Sequence, residues 1–177
     1  VSTRVGFLRA VNVGRRRVAM SRVVALCEGL GYDDVWTYVN SGNVVLDATG
    51  SRAAVERAVE GALEDEYGFE CSTFVRTPAQ LRAVLADRPF GVGEGDTHFV
   101  TFLRSAPSDG DLAALEGLSN EVDTLVVRGS EVHWRMHGRS TDSRLVTRDW
   151  ERILGPASST SRNVTMLTKL VAKIDAR

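Results

Sequence analysis

The order in which hydrophobic periods follow one another constrains this chain more than any motif in it. Residues 4–10 (RVGFLRA) have strand character, and Met20, Val23, Val24, Cys27 and Leu30 then recur at three and four residues, the stripe of a helix that Gly29 and Gly31 close. Val35–Val39 and Val44–Leu46, joined by Asn40-Ser41-Gly42-Asn43, read as a hairpin. Ser51 caps a second helix with Val55, Ala58, Val59, Ala62 and Leu63 on one face, and Cys71–Val75 is again a strand. The order is βαββαβ, the split βαβ pattern of a ferredoxin-like unit, in which both helices cover one face of an antiparallel sheet.

Thr77-Pro78-Ala79-Gln80 has the cap, first-turn proline and third-position Gln that start a third helix, and the Pro/Gly-rich run Arg88–Gly95 reads as a linker. The grammar then repeats. His98–Leu103 is strand-like, Ser108 caps a helix with Leu112, Leu115 and Leu118, and Val122–Val127 and Val132–Met136 form a second hairpin around Gly129-Ser130. A helix is expected from about Ser143 to Leu154, a short strand near Ser158–Arg162, and a last helix carrying Val164, Leu167, Leu170, Val171 and Ile174. The expected fold is therefore α+β, two ferredoxin-like subdomains with antiparallel sheets over residues 1–90 and 91–177. The duplication rests on pattern rather than on sequence identity. Because the strands carry apolar side chains on both faces, the face without helices needs a cover. Packing of the two halves on each other or on the terminal helix is the expectation. The alternative, a base-stacking platform at Trp36 and Tyr38, lacks basic and aromatic support in Val44–Ala48.

Phe7-Leu8-Arg9-Ala10-Val11-Asn12-Val13-Gly14, Met20, Thr37–Val44, Thr160-Ser161-Arg162-Asn163 and Lys169-Leu170 together resemble a bacterial family of unknown function, DUF1697. The resemblance implies a pair of ferredoxin-like subdomains and implies no activity. Two positions depart from the family pattern: Ala10 and Arg15 stand where the family usually has glycine.

Charge is balanced overall, at −1, but not locally. Six arginines and no acid occupy the first 27 residues, residues 28–70 carry a net of −8, and the stretch from Arg135 onward a net of +5. Solvation or pairing between oppositely charged stretches explains much of this. The loop Asn12-Val13-Gly14-Arg15-Arg16-Arg17, between the first strand and the first helix, has a further reading. A glycine, a helix start and three guanidinium forks suit phosphate or carboxylate. The candidate ligand residues are Arg9, Asn12, Gly14, Arg15, Arg16 and Arg17. Asn40, Ser41 and Asn43 join them if the hairpin turn lies beside that loop. Arg162, Asn163 and Lys169 join them if the C-terminal helix approaches the same cleft. Taken alone, Asn40–Asn43 is a turn and Asn163 a helix cap.

The functional expectation is a module for a small anion, phosphate-containing metabolites among the candidates, with a nucleic-acid-binding or a protein-interaction module as the alternatives. No Walker loop, GxGxxG, GxSxG elbow or paired-carboxylate motif is present, so no catalytic residue and no cofactor are named. His133 and His137 would sit ~13 Å apart along one strand, too far to share a metal. Two cysteines, Cys27 and Cys71, are too few for a disulfide framework. The segment Val1–Val5 carries no leader pattern and no apolar run approaches ~20 residues, so the expectation is a cytoplasmic protein without a membrane partner.

Overall fold

The computed structural model describes all 177 residues. They divide into two compact units, Val1–Leu81 and Arg82–Arg177.

Unit 1 contains β1 (Ser2–Leu8), α1 (Met20–Gly29), β2 (Asp33–Thr37), β3 (Asn43–Ala48), α2 (Arg52–Tyr67) and β4 (Thr73–Arg76), and the first residues of α3 (Pro78–Ala86) close it. Its antiparallel sheet has the order β2-β3-β1-β4. Leu8, Val44, Leu46 and Val75 meet Val23 and Cys27 of α1 and Val55, Val59 and Leu63 of α2 in one core, as the helical stripes require. Ser51 Oγ accepts the Ala54 amide at the start of α2, and Gly68, at φ +70°, ends it. The other sheet face is buried too: Val5, Phe7, Val45 and Phe74 are each at most 1% exposed.

Unit 2 continues with β5 (Thr97–Leu103), α4 (Asp109–Glu116), β6 (Asp123–Arg128), β7 (Glu131–Met136), α5 (Thr147–Leu154), β8 (Ser159–Asn163) and α6 (Val164–Asp175), with the sheet order β6-β7-β5-β8. The fold is thus two ferredoxin-like subdomains with antiparallel sheets. The division falls inside α3 rather than in the Arg88–Gly95 run, because that run is not a free linker. Phe90 packs edge-on against His98 and His133 of the second sheet, and Arg135 lies over the Phe90 ring while donating to the Gly91 carbonyl.

The duplication extends to individual residues. Val5-x-Phe7-Leu8 of β1 with the following Arg9 corresponds to Val100-x-Phe102-Leu103 of β5 with the following Arg104. Val5 pairs with Arg76, and Val100 with Arg162. Both arginines are buried, and each Nη1 donates to the carbonyl of the preceding residue, Val75 at 2.8 Å and Ser161 at 2.9 Å. Each is followed by a helix-capping residue, Thr77 before α3 and Asn163 before α6. The Leu8 amide donates to Gly42 O and the Leu103 amide to Ser130 O, so the hairpin turn is tied to the central strand in the same way twice.

Edge strands are closed by side chains. The outward amides of Thr73 and Val75 in β4 donate to Glu60 and Glu56 of α2, and those of Leu125 and Val127 in β6 donate to Ser119 and Glu116.

The helix expected from Ser143 starts four residues later, at Thr147, after a short 3₁₀ turn at Ser140–Asp142. Asp123 is the cause. Fully buried, its carboxylate accepts hydrogen bonds from Trp134 Nε1 (2.8 Å), Ser143 Oγ (2.6 Å), the Arg144 amide (2.9 Å) and Asn120 Nδ2 (3.0 Å). Ser143 and Arg144 are therefore spent on Asp123, and Asp149 takes the Val146 amide to begin α5. Burial pushes the Asp123 carboxyl up, but the donors from Ser143, Arg144, Trp134 and Asn120 outweigh it and hold it below the ordinary carboxylate value. Its contribution to stability is complete above the unfolded value near pH 4 and is lost as pH falls through the lower folded value. Asp123→Ala orphans four donors and is expected to cost about 2–3 kcal/mol in urea unfolding at pH 7. The gap to the native protein should narrow below pH 4.

Candidate functional site

The arginine loop and the hairpin turn do lie together in unit 1, and a close backbone approach brings them there. A Cβ on Gly42 would stand 2.4 Å from Val11 Cγ2 and 2.9 Å from Leu8 Cβ, and its φ is +83°. Only glycine lets the turn reach the end of β1. Asn12 completes the junction: its Oδ1 accepts the Val18 amide at 3.0 Å, and its Nδ2 donates to Val18 O at 3.0 Å and Asn40 O at 2.8 Å. One carboxamide thus closes the loop Val13–Arg17 on itself and fastens it to the turn.

Within that loop the Arg16 amide bonds Val13 O, with Gly14 at φ +60° in the first central position of the turn. The three guanidinium groups meet different fates. Arg16 lies 4.9 Å above the Phe69 ring and donates to Glu70 O at 3.2 Å. Arg15 and Arg17 are exposed and make no hydrogen bond or ion pair. Arg22, in the first turn of α1, is neutralised by a two-pronged pair with Glu66, at 2.6 and 2.8 Å, which raises its pKa and lowers that of Glu66. Arg9 is half-buried; its amide donates to Ser72 O and its carbonyl accepts the Cys71 thiol at 3.6 Å.

In the turn the left-handed residues are Val39, at φ +53°, and Gly42. Asn43 is buried, and its amide donates to Tyr38 O and Ser41 Oγ inside the turn, while Asn40 and Ser41 are exposed. Ala10 also has a left-handed φ, +56°, so glycine would be unstrained where this chain has alanine. Arg15 is not left-handed and needs no glycine.

The remaining predicted residues belong to unit 2. Arg162 is buried on its own sheet, donating to Thr160 Oγ1 at 2.8 Å and to the Ser161 carbonyl; Asn163 Oδ1 caps α6 through the Thr165 amide at 2.8 Å; Lys169 is exposed on α6. Both thiols are buried, and burial together with Glu28 pushes Cys27 up to about 12, away from the thiolate form.

A pair hidden from sequence reasoning lies on the second sheet. His98 Nε2 and His133 Nδ1 are 3.0 Å apart although 35 residues separate them, and His133 is 1% exposed. His133 Nε2 has no hydrogen bond, the Asp87 carboxylate standing 3.7 Å away. No group of three or more His, Cys, Asp or Glu side chains is placed to hold a metal ion.

A family model described as "protein of unknown function (DUF1697)" matches residues 1–133. The chain belongs to this family. The match takes in all of unit 1 and unit 2 up to His133, so Thr160–Asn163 and Lys169 lie beyond it. No curated protein matches the chain. Among solved structures, a conserved bacterial protein from Streptococcus pneumoniae is similar over 98% of both chains, with a TM-score of 0.73 and 19% identity, a likeness of fold. No helix in this DUF1697 protein is long and apolar enough to cross a membrane.

Two outcomes follow from this geometry. Gly42→Ala should destabilise by about 3 kcal/mol, from left-handed strain and the clash with Val11 and Leu8, whereas Ala10→Gly should stabilise by about 0.5–1 kcal/mol; urea unfolding of both variants measures this. The histidine pair gives a pH dependence. Burial, then His133 and Arg88, lower His98 from 6.5 to about 4, and burial outweighs Asp87 to lower His133 as well. His98 stays neutral in the folded protein down to about pH 4 while the unfolded chain takes up a proton near 6.5, so stability should fall as pH drops through that interval. His98→Gln should flatten that slope in urea titrations across the interval.

Proposed function

We propose that unit 1 is a binding module for a small anionic ligand, of the size of a free phosphate, a sugar phosphate or a polycarboxylate, held at the Val13–Arg17 loop. The observation that carries this reading is the contrast among neighbouring arginines. Arg22 and Arg16 are committed to Glu66 and to Phe69 with Glu70, while Arg15 and Arg17 are presented unpaired on a loop that Asn12 has already closed. A preformed loop loses little conformational entropy on binding. No side chain caps the start of α1, which the loop feeds, so first-turn amides add donors of the right polarity. Exposed Asn40 and Ser41 border the same loop and supply neutral hydrogen-bonding groups. In this reading the protein is a cytoplasmic binding module of a bacterium, with no catalytic residue assigned.

Isothermal titration with inorganic phosphate, citrate and a nucleoside monophosphate should give saturable binding to the native protein. Arg15→Gln with Arg17→Gln should weaken that binding at least about tenfold, with a change in stability of less than about 0.5 kcal/mol. Absence of binding by all three probes, or an unchanged affinity in the double variant, would refute the reading. A single small anion also implies a shallow dependence on salt; a steep loss between 50 and 200 mM (about a thousandfold or more) would point instead to several phosphate contacts on a nucleic acid.

A further inference from the structure

Unit 1 carries a second group of arginines, at the start of β1 rather than beyond its end. A cavity of about 100 Å³ there is lined by Arg4, Arg52, Val75, Arg76, Thr77 and Gln80. Three of these six residues are arginines and none is a carboxylate.

Strand register and hydrogen bonds show how the polar groups converge. β1 and β4 pair Val5 with Arg76 and Gly6 with Val75, so Arg4 points to the sheet face of Val75, the face that α2 covers. The Val75 amide leaves the outer edge of β4 and donates to Glu56 Oε1 at 2.9 Å. Arg52, one turn earlier at the start of α2, has its Nε 3.7 Å from the same oxygen. Arg76 turns back to this edge as well, because its Nη1 donates to the Val75 carbonyl, which lies on the same side of the strand as the Val75 amide. Three guanidinium groups thus come from β1, α2 and β4 to the place where α3 begins.

There Thr77 and Gln80 are bonded to each other's backbone. The Thr77 amide donates to Gln80 Oε1 at 2.8 Å, and the Gln80 amide to Thr77 Oγ1 at 3.1 Å. Both side-chain oxygens already accept, which leaves the Thr77 hydroxyl proton and the Gln80 Nε2 protons to donate. Arg52 and Arg76 are held by Glu56 and the Val75 carbonyl, whereas Arg4 makes one long contact, Nη1 to the Thr3 carbonyl at 3.4 Å, and no ion pair. A cation is repelled here, and hydrocarbon would meet only Val75. An occupant must therefore accept hydrogen bonds and carry negative charge. It must also be small, because the cavity has room for about three waters at ~30 Å³ each, well below the ~300 Å³ of sites that enclose a larger organic ligand.

We infer that this cavity binds a single tetrahedral oxyanion, phosphate or sulfate, whose charge meets Arg4 and whose oxygens accept from Thr77 and Gln80. The site is independent of the one proposed at Val13–Arg17.

The test is an amide NMR titration of the full-length ¹⁵N-labelled protein, native and with Arg15→Gln and Arg17→Gln, the second form silencing the loop site. Phosphate, sulfate and methyl phosphate are added at constant ionic strength against chloride. In both forms phosphate and sulfate should shift Arg4, Arg52, Thr77 and Gln80 saturably. Arg4→Gln should weaken both ions at least about tenfold. Gln80→Glu keeps the oxygen that takes the Thr77 amide but puts a carboxylate in the cavity, so it should abolish binding while urea unfolding stays unchanged. Methyl phosphate binding as tightly as phosphate would show that the oxyanion can be the end of a larger molecule, and weaker binding would confine the site to the free ion; either sustains the oxyanion assignment. The inference is overturned if neither ion gives a saturable shift at these amides, if Arg4→Gln or Gln80→Glu leaves the affinity unchanged, or if the shifts seen in the native protein vanish with Arg15→Gln and Arg17→Gln.

Discussion

The site end of unit 1 depends on Gly42 lying against Leu8 and Val11, an approach so close that no side chain fits between. From it follows the hydrogen bond of the Leu8 amide to Gly42 O, which fixes the turn to the central strand. With the turn in place, Asn40 O comes within reach of the Asn12 carboxamide, and Asn12 in turn closes the loop that carries the arginines. The strain at Ala10, Asn12 and Val39 is concentrated in these same two segments. Core packing between the helices and the sheet would tolerate many loop geometries; the glycine contact selects one.

Unit 2 keeps the scaffold of this arrangement and changes its contents. The turn-to-strand hydrogen bond recurs at Leu103 and Ser130, and a buried arginine recurs opposite Val100. Burying a guanidinium is costly unless it is well bonded, and the same register position holds one in both units, bonded each time to the carbonyl before it. The strand-to-helix connections have diverged freely above that framework. One is a cationic loop; the other, Arg104–Ser108, holds a single arginine.

Strand and helix order was legible because each element carries its own period, and because caps such as Ser51, Thr77, Ser108 and Asn163 announce themselves locally. The repeated Phe-Leu-Arg, at residues 7–9 and 102–104, is a sequence signal for the duplication that pattern alone passed over. Features set by distant partners were not readable. Ser143 looks like a helix start until Asp123, twenty residues earlier, claims its hydroxyl. His98 and His133 meet only because β5 and β7 are neighbours. The left-handed conformations of Ala10 and Val39 run against their residue types.

The carboxylates that take the outward amides of β4 and β6 bear on how the molecule behaves in company. A sheet edge with free amides is a template on which another chain can grow, and here one edge of each sheet is occupied by groups of its own unit. Further strands are left with β2 and β8. The first opens on Asp33-Asp34 and shifts register before Trp36; the second carries serine, threonine, arginine and asparagine in place of a hydrophobic run. Neither makes a good seed for cross-β stacking. Each four-stranded sheet thus has one edge whose amides are taken from within its own unit and one edge whose sequence suits strand addition poorly.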